Sequence, residues 1–472
     1  MRRLAAPLAL LLLSGCVYFN GIYNARHEQK LGESLRRRGM EPAAVEHFRL
    51  AAEKAETVLV RHPRSDWRGE ALLLAGRGWA LADDCGRAEP RLTEYLRLTR
   101  DAAGEAARKR ERALLALGMC RVRGGLFADA RALLDPLRES RQREVAAESR
   151  IWAARAAMAM GDADGAVAAL RGTSAAVAEW ELARAYLARG RFAEAESLLA
   201  LRARRGDYRP EVLDALALLW REGRADGALR LVELYDRDRV AGMDRARLHA
   251  AAADLLLSAG RTAQAREHLA LAHRAARDSL VGRDAAARLV QLDVAAPASM
   301  ADVANLIARA RADAAGSELY RRLDDNVIFV QLLAARPDPS GASLFLAGEV
   351  ARDSLGARGL AHTLFRRVAA EYLSTPIAPK ALLAAAAIVP DSAEAYLARL
   401  RERYPTSAER HALDGTDGAD GPVTAAADSL LAHAWSIGSK AFADTLTALR
   451  RDQAAPPVAA AGSPPPPPRP QP

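Results

Sequence analysis

Residues 117–137 read LGMCRVRGGLFADARALLDPL, and this stretch decides the fold. Leu117 and Gly118 open it, Gly125 breaks it, Phe127 and Ala130 follow, and Leu134 closes the apolar stripe. At 3.6 residues per turn the pattern predicts two short amphipathic helices joined by a glycine turn. Gly118 and Ala130 are small enough to let the two helices approach closely.

The same three landmarks recur along the chain as a first small site, a turn and a second small site. They fall at Gly32/Gly39/Ala44, Gly76/Asp83/Ala88, Gly118/Gly125/Ala130 and Ala154/Gly161/Ala166. Further copies fall at Ala183/Gly190/Ala195, Leu216/Gly223/Ala228, Ala253/Gly260/Ala265 and, after a gap, Gly348/Gly356/Ala361. Asp83 and Leu216 stand where a small residue is expected, so the second and sixth copies are the weakest. One offset pattern met eight times is hard to obtain by accident, even in an alanine-rich chain. The spacing resembles the tetratricopeptide repeat, a helix–turn–helix of about 34 residues. That resemblance implies an all-α, tetratricopeptide-like solenoid of antiparallel helix pairs. No strand-like alternation argues against it.

At the start, Arg2 and Arg3 precede an apolar run from Leu4 to Leu13. The run is too short for a mature spanning helix, which needs about 20 residues. Leu13-Ser14-Gly15-Cys16 resembles the bacterial lipobox, which implies cleavage after residue 15 and acylation of Cys16. Two or more acyl chains anchor a protein stably. Val17 rather than Asp after the cysteine implies, by the same resemblance, the outer membrane, with the chain facing the periplasm. An ordinary secretory signal with a chance cysteine is the alternative. Residues 17–25, VYFNGIYNA, resemble the opening of other tetratricopeptide lipoproteins; Tyr18, Phe19 and Tyr23 fit lipid headgroups or the first helix equally well.

Residues 41–61 carry Val45, Phe48, Ala52, Ala55 and Leu59 on one predicted stripe. His62-Pro63-Arg64-Ser65 ends that helix, because proline disfavours helix in the residue before it. Tyr404-Pro405-Thr406-Ser407 repeats the punctuation. Helix, HPRS, then a helix with ALLLAG resembles the BamD-like lipoproteins of the β-barrel assembly machinery. The landmarks fade over 281–340, where segments 285–294, 300–314 and 319–335 read as helices. They form either degenerate repeats or an irregular insert.

The expected organisation is therefore a signal peptide at 1–15, a solenoid at 16–280, degenerate helical repeats or an insert at 281–340, and further repeats at 341–411. A breaker-rich linker follows at 412–424. A terminal helix at 425–451, bearing Leu430, Leu431, Trp435 and Phe442, is expected to cap the open end of the stack. The tail at 452–472 is too proline-rich to build a core and is expected to be disordered; residues 464–468 favour polyproline II, as an exposed spacer or a ligand for an aromatic groove.

The formal charge is +9, yet 63 of the 68 basic residues are arginine, a bias that a GC-rich genome explains most simply. An exported protein rarely meets nucleic acid, so the expected partners are proteins, acidic peptide segments and the membrane. Beyond Cys16 only Cys85 and Cys120 remain. In the repeat frame both lie towards one end of the stack, so a disulfide is conceivable; two separate buried thiols are the alternative. No metal or cofactor is expected. His268 and His273 are five apart, about 140° around a helix, and share no face. Asp324-Asp325-Asn326 reads as a turn or helix cap, and the aspartates between Asp414 and Asp420 lack the spacing of a calcium loop. No nucleophile elbow, phosphate loop or zinc helix is present, so no enzyme is expected.

The expected function is a membrane-anchored periplasmic scaffold in envelope or outer-membrane complex assembly. The alternatives are coordination of cell-wall synthesis, a secretion or motility accessory, and, in another class, a hydrolase with an unrecognised site. In tetratricopeptide repeats the residue after the first small site points into the concave groove. The resemblance places Arg77, Met119, Arg155, Arg184, Ala217 and Asp254 there. Arg123 and Arg221 follow one turn later, and Trp180 lies one turn before Arg184. An arginine-lined groove with an aromatic floor, suited to an acidic segment or a terminal carboxylate, is the resulting expectation. Its alternative is simple solvation of these side chains.

Overall fold

Seven of the eight expected turns close in the same way. At Gly125 (φ +76°) the glycine N–H donates to the Val122 carbonyl at 3.1 Å, and the Leu126 N–H reaches back to the Arg121 carbonyl at 2.9 Å. Those two bonds make a Schellman cap, which satisfies carbonyls that the helix end would otherwise leave bare. All eight turn positions have φ between +67° and +78°, the left-handed region where a Cβ is costly. Asp83, at φ +67°, is the one non-glycine residue there among the described residues. Aspartate tolerates this region better than most side chains. The eighth turn differs: Gly356 follows a π-helical turn at Ala351–Leu355, and the Ala357 N–H donates to the Ala351 carbonyl at 2.8 Å.

The computed structural model describes the backbone of residues 5–173, 176–237, 240–415 and 422–454, and the side chains of 21–173, 176–237, 240–415 and 425–451. Cys16 therefore has a described backbone, in a helix, while its side chain lies outside the described residues. The proline-rich tail beyond residue 454 and the linker residues 416–421 also lie outside. The described chain is all helix, with no strand, and its helices pack in successive antiparallel pairs. It divides into two compact units, Met1–Asp238 and Arg239–Pro472. The division falls inside the stretch 16–280, between the sixth and seventh copies.

Unit 1 holds α1 (Ala5–Arg37), α2 (Glu41–Arg61), α3 (Arg68–Leu81), α4 (Cys85–Leu98), α5 (Gly104–Arg123) and α6 (Phe127–Leu134). It continues with α7 (Arg143–Ala159), α8 (Ala163–Leu170), α9 (Ala176–Ala188), α10 (Phe192–Arg204), α11 (Val212–Arg221) and α12 (Ala225–Arg237). The helices close on small residues. A Cβ added to Gly118 would stand 2.6 Å from Leu134, and Ala130 beside it is fully buried. On α2 the buried stripe runs through Ala44, Phe48, Ala51, Ala52, Ala55, Val58 and Leu59. Ala44 is fully buried in this stripe, whereas the expected Val45, about 100° around the helix from it, is half-buried. His62 and Pro63 end α2 as predicted, and the Ser65 hydroxyl accepts the Trp67 N–H at 3.0 Å to start α3.

Unit 2 holds α13 (Gly242–Ser258), α14 (Thr262–Ala275), α15 (Leu280–Asp293), α16 (Met300–Arg309), α17 (Arg311–Ala314) and α18 (Glu318–Ala335). It then adds α19 (Ala342–Val350), α20 (Arg358–Glu371), α21 (Ala378–Ile388), α22 (Ala393–Arg403), α23 (Ala408–Asp414) and α24 (Pro422–Ala454). The 300–314 segment is broken at Ala310 into α16 and α17, which pack against α15 and α18. Asp324 and Asp325 are not in a turn or cap, as expected, but inside α18, paired with Arg311 at 3.2 Å and Arg321 at 2.8 Å. Nor does α24 extend the stack beyond α23. It runs back across α18 and α19, where Ala427 and Ala434 are buried and Phe442 stacks on Phe329 at 4.7 Å. Small residues on α24 permit this close approach, and the aromatic pair holds it.

Candidate binding cleft

The first helices of the first four pairs, α1, α3, α5 and α7, line a cleft of about 350 Å³ in unit 1. Its floor is aliphatic: Leu115, Met119, Val145 and Ile151 all bury more than nine-tenths of their surface. The rim is charged and mostly self-paired. Arg77 meets Glu33 at 3.0 Å, and Arg36 of α1 reaches Glu148 of α7 across the opening. Arg112 donates to the Gln142 side chain at 3.0 Å, whereas Arg37 has no ion-pair partner among the described residues. Such a site offers apolar contact below and alternating charge above.

Beyond the cleft several of the expected groove residues are ion-paired. Arg123 pairs with Asp83 at 2.9 Å and donates to the Ala80 carbonyl. Burial, reinforced by the nearby charges of Arg155 and Arg36, pushes its guanidinium pKa down against the pull of Asp83. Trp152 lies between Arg123 and Arg155, with guanidinium carbons 5.1 and 4.6 Å from its ring. Arg155 and Arg184 share one nearly buried carboxylate, Glu181, at 2.7 and 3.0 Å. Arg155 is half-buried against this carboxylate, while Arg184 keeps about half of its side-chain surface exposed. Trp180 is 4% exposed and is no groove floor; its indole N–H donates to Asp207 at 3.0 Å. Ala217 is half-buried and Arg221 exposed on α11. Asp254 belongs to unit 2, where it pairs with Arg288.

The structure brings Arg77 and Met119 into the cleft and leaves the other seven expected residues outside it. Sequence reading missed the interleaved carboxylates. Glu33 was within reach, because it follows Gly32 at the same offset as Arg77 follows Gly76. Glu349 follows Gly348 in the same way and lines a second cleft of about 500 Å³ in unit 2 with Lys380, Leu383 and Leu431. Burial pushes the Glu349 carboxyl above its usual range, although Arg352 works against it.

Cys85 and Cys120 form a disulfide, with Cα atoms 5.3 Å apart, that joins the start of α4 to α5. His268 contacts His249 through Nδ1 at 2.9 Å, and His273 contacts the Gly282 carbonyl at 3.0 Å. Among the described residues no group of three or more His, Cys, Asp or Glu side chains is placed to hold a metal. No helix there is long and apolar enough to cross a membrane.

No family model matches the chain, and no curated protein matches it significantly. Among solved structures it is similar to Naa15/Naa10 bound to HypK-THB, with a TM-score of 0.32 and 15% identity. The match covers 87% of this chain and 63% of that one, so the chain spans less than two thirds of that protein's length. A likeness this remote carries no weight for function.

Proposed function

We propose that this chain is a tetratricopeptide-type scaffold that binds protein segments, held at the periplasmic face of the outer membrane by acyl chains on Cys16. The unit 1 cleft supports the reading most directly. Leu115 and Met119 of α5 with Val145 and Ile151 of α7 form an apolar floor, and the surrounding first helices pair most of their charges at the rim. Such a surface suits a peptide that inserts apolar side chains and lays its charges along an alternating Arg/Glu edge. Because Arg155 and Arg184 already hold Glu181, the ligand is mixed in charge rather than purely acidic. Its role is binding, without chemistry of its own, and assembly of envelope complexes is the setting that fits an anchored scaffold.

A photo-crosslinking residue at Ala147, on the cleft wall, should capture a defined partner from membranes, while one at exposed Asp129 should not. Met119→Ala should weaken that capture without loss of helicity. Equal capture from both positions, or capture unaffected by Met119→Ala, would sink the cleft as the site. The anchor is tested separately: Cys16→Ser should lose fatty-acid labelling and leave unprocessed or soluble chain.

A further inference from the structure

Helix α1 runs without a break from Ala5 to Arg37. Position 16 lies six residues before Ile22, which is 1% exposed and packed into unit 1. At 1.5 Å per residue that is about 9 Å of helix, with no slack loop between an anchor and the folded body. An anchored protein would therefore present one fixed end to the bilayer.

Contacts identify that end. Gly21 lies against Val58 of α2, and Arg26 pairs with Glu70 of α3 at 3.1 Å. Glu70 also holds Lys109 of α5 at 2.7 Å, and Arg110 donates to the Leu96 carbonyl of α4 at 2.6 Å. Gln142, just before α7, donates to the Arg108 carbonyl at 2.9 Å. The connections at 60–68, 97–105 and 138–144 thus lie level with the start of the packed part of α1. The left-handed turns at Gly39, Asp83, Gly125 and Gly161 lie at the opposite end.

The two ends differ in charge. The three connections carry eight arginines against five carboxylates, whereas the segments 37–43, 82–88, 123–129 and 160–164 carry four arginines against six carboxylates. At the first end Arg61, Arg64, Arg97, Arg100, Arg141 and Arg143 have no ion-pair partner among the described residues. Beside them Val60 is 76%, Tyr23 60% and Leu98 49% exposed. Exposed apolar residues at the other end, Met40, Leu126 and Met160, sit at the capping turns or next to their left-handed glycines. Arginines that reach phosphates beside apolar side chains are the usual pattern of interfacial binding.

We propose that this basic, apolar-tipped end of unit 1 docks on the anionic headgroup surface of the membrane that carries the Cys16 anchor, standing α1, α3, α5 and α7 away from the bilayer. The inference rests on the anchor reading. Glu33 at the cleft is 17 residues beyond Cys16, which sets the cleft about 25 Å along α1 from the anchor. A partner reaching the cleft must then project at that height.

The test uses the acylated full-length chain in phosphatidylcholine vesicles with and without phosphatidylglycerol, its native disulfide kept oxidised. An environment-sensitive fluorophore is placed on Leu98→Cys or, at the far end, on Leu126→Cys. Headgroup-labelled quencher lipids should quench the first and spare the second, more strongly with phosphatidylglycerol. Changing Arg64, Arg97 and Arg100 together to Gln should reduce the docked fraction by more than about fivefold, since each arginine near an anionic surface is worth about that factor. Circular dichroism confirms that every variant is folded. If the protein floats with vesicles but both labels are quenched alike, or neither is, the orientation is overturned and the anchor stands. Quenching that ignores phosphatidylglycerol overturns it too. A chain that does not float overturns the anchor and this orientation together.

Discussion

Replacing Gly118 by alanine tests the helix seam on which the repeat frame depends. The new Cβ would lie 2.6 Å from Cδ2 and 2.7 Å from Cγ of Leu134, well inside contact distance. Leu134 is fully buried and has no open space to retreat into. Overpacking of this kind costs about 1–3 kcal/mol, while exchanging glycine for alanine inside a helix returns about 1 kcal/mol. The net loss expected for Gly118→Ala is therefore about 0–2 kcal/mol. Leu134→Ala alone opens a cavity and should cost about 2–5 kcal/mol. In the double variant the clash is gone, and the methyl group introduced at position 118 occupies part of the vacated space. The pair should be coupled by about 1–3 kcal/mol, with the double variant more stable than the sum of the singles predicts. Guanidinium titration followed by far-ultraviolet circular dichroism, with the disulfide oxidised in all four proteins, measures this cycle. Additivity within about 0.5 kcal/mol would refute the close approach.

Three further outcomes follow from particular residues. Asp83→Val should destabilise by about 1–2 kcal/mol, because a β-branched residue resists the left-handed turn, whereas Asp83→Gly should stay close to wild type; equal midpoints for the two variants would contradict the turn geometry. Cys85→Ser with Cys120→Ser opens a loop closed over a separation of 35 residues and should cost about 3–4 kcal/mol. The check is the denaturation midpoint of the variant, which added reductant should leave unchanged. Burial raises the Glu349 carboxyl, so its favourable contribution is complete below its ordinary value of 4.5 and fades as pH rises through the higher folded-state value. Glu349→Gln should accordingly raise the melting temperature at neutral pH and lose that advantage near pH 4 and below, as thermal melts across pH will show.

The turns and small sites were legible in the sequence because each is a local demand on one residue type. A left-handed φ selects glycine, or aspartate at position 83, and a close helix seam selects Gly118 or Ala130. The helix bounds at Arg61 and Arg403 were legible for the same reason, through the proline and serine that follow them. Which charges pair was not legible. Arg36 meets Glu148 across 112 residues, and Arg77 meets Glu33 across 44. No local spacing encodes partners that only the stacking of successive helices brings together. The same holds for Glu181 of α9, which Arg155 of α7 meets at 2.7 Å across 26 residues. Helix α24 was readable as a helix from its own period. Its place on α18 and α19 was not, because that depends on Phe329 and Leu333 offering it a better surface than the open end beyond α23. The repeat is thus a property of the sequence, while the cleft and its charge pairing belong to the tertiary structure.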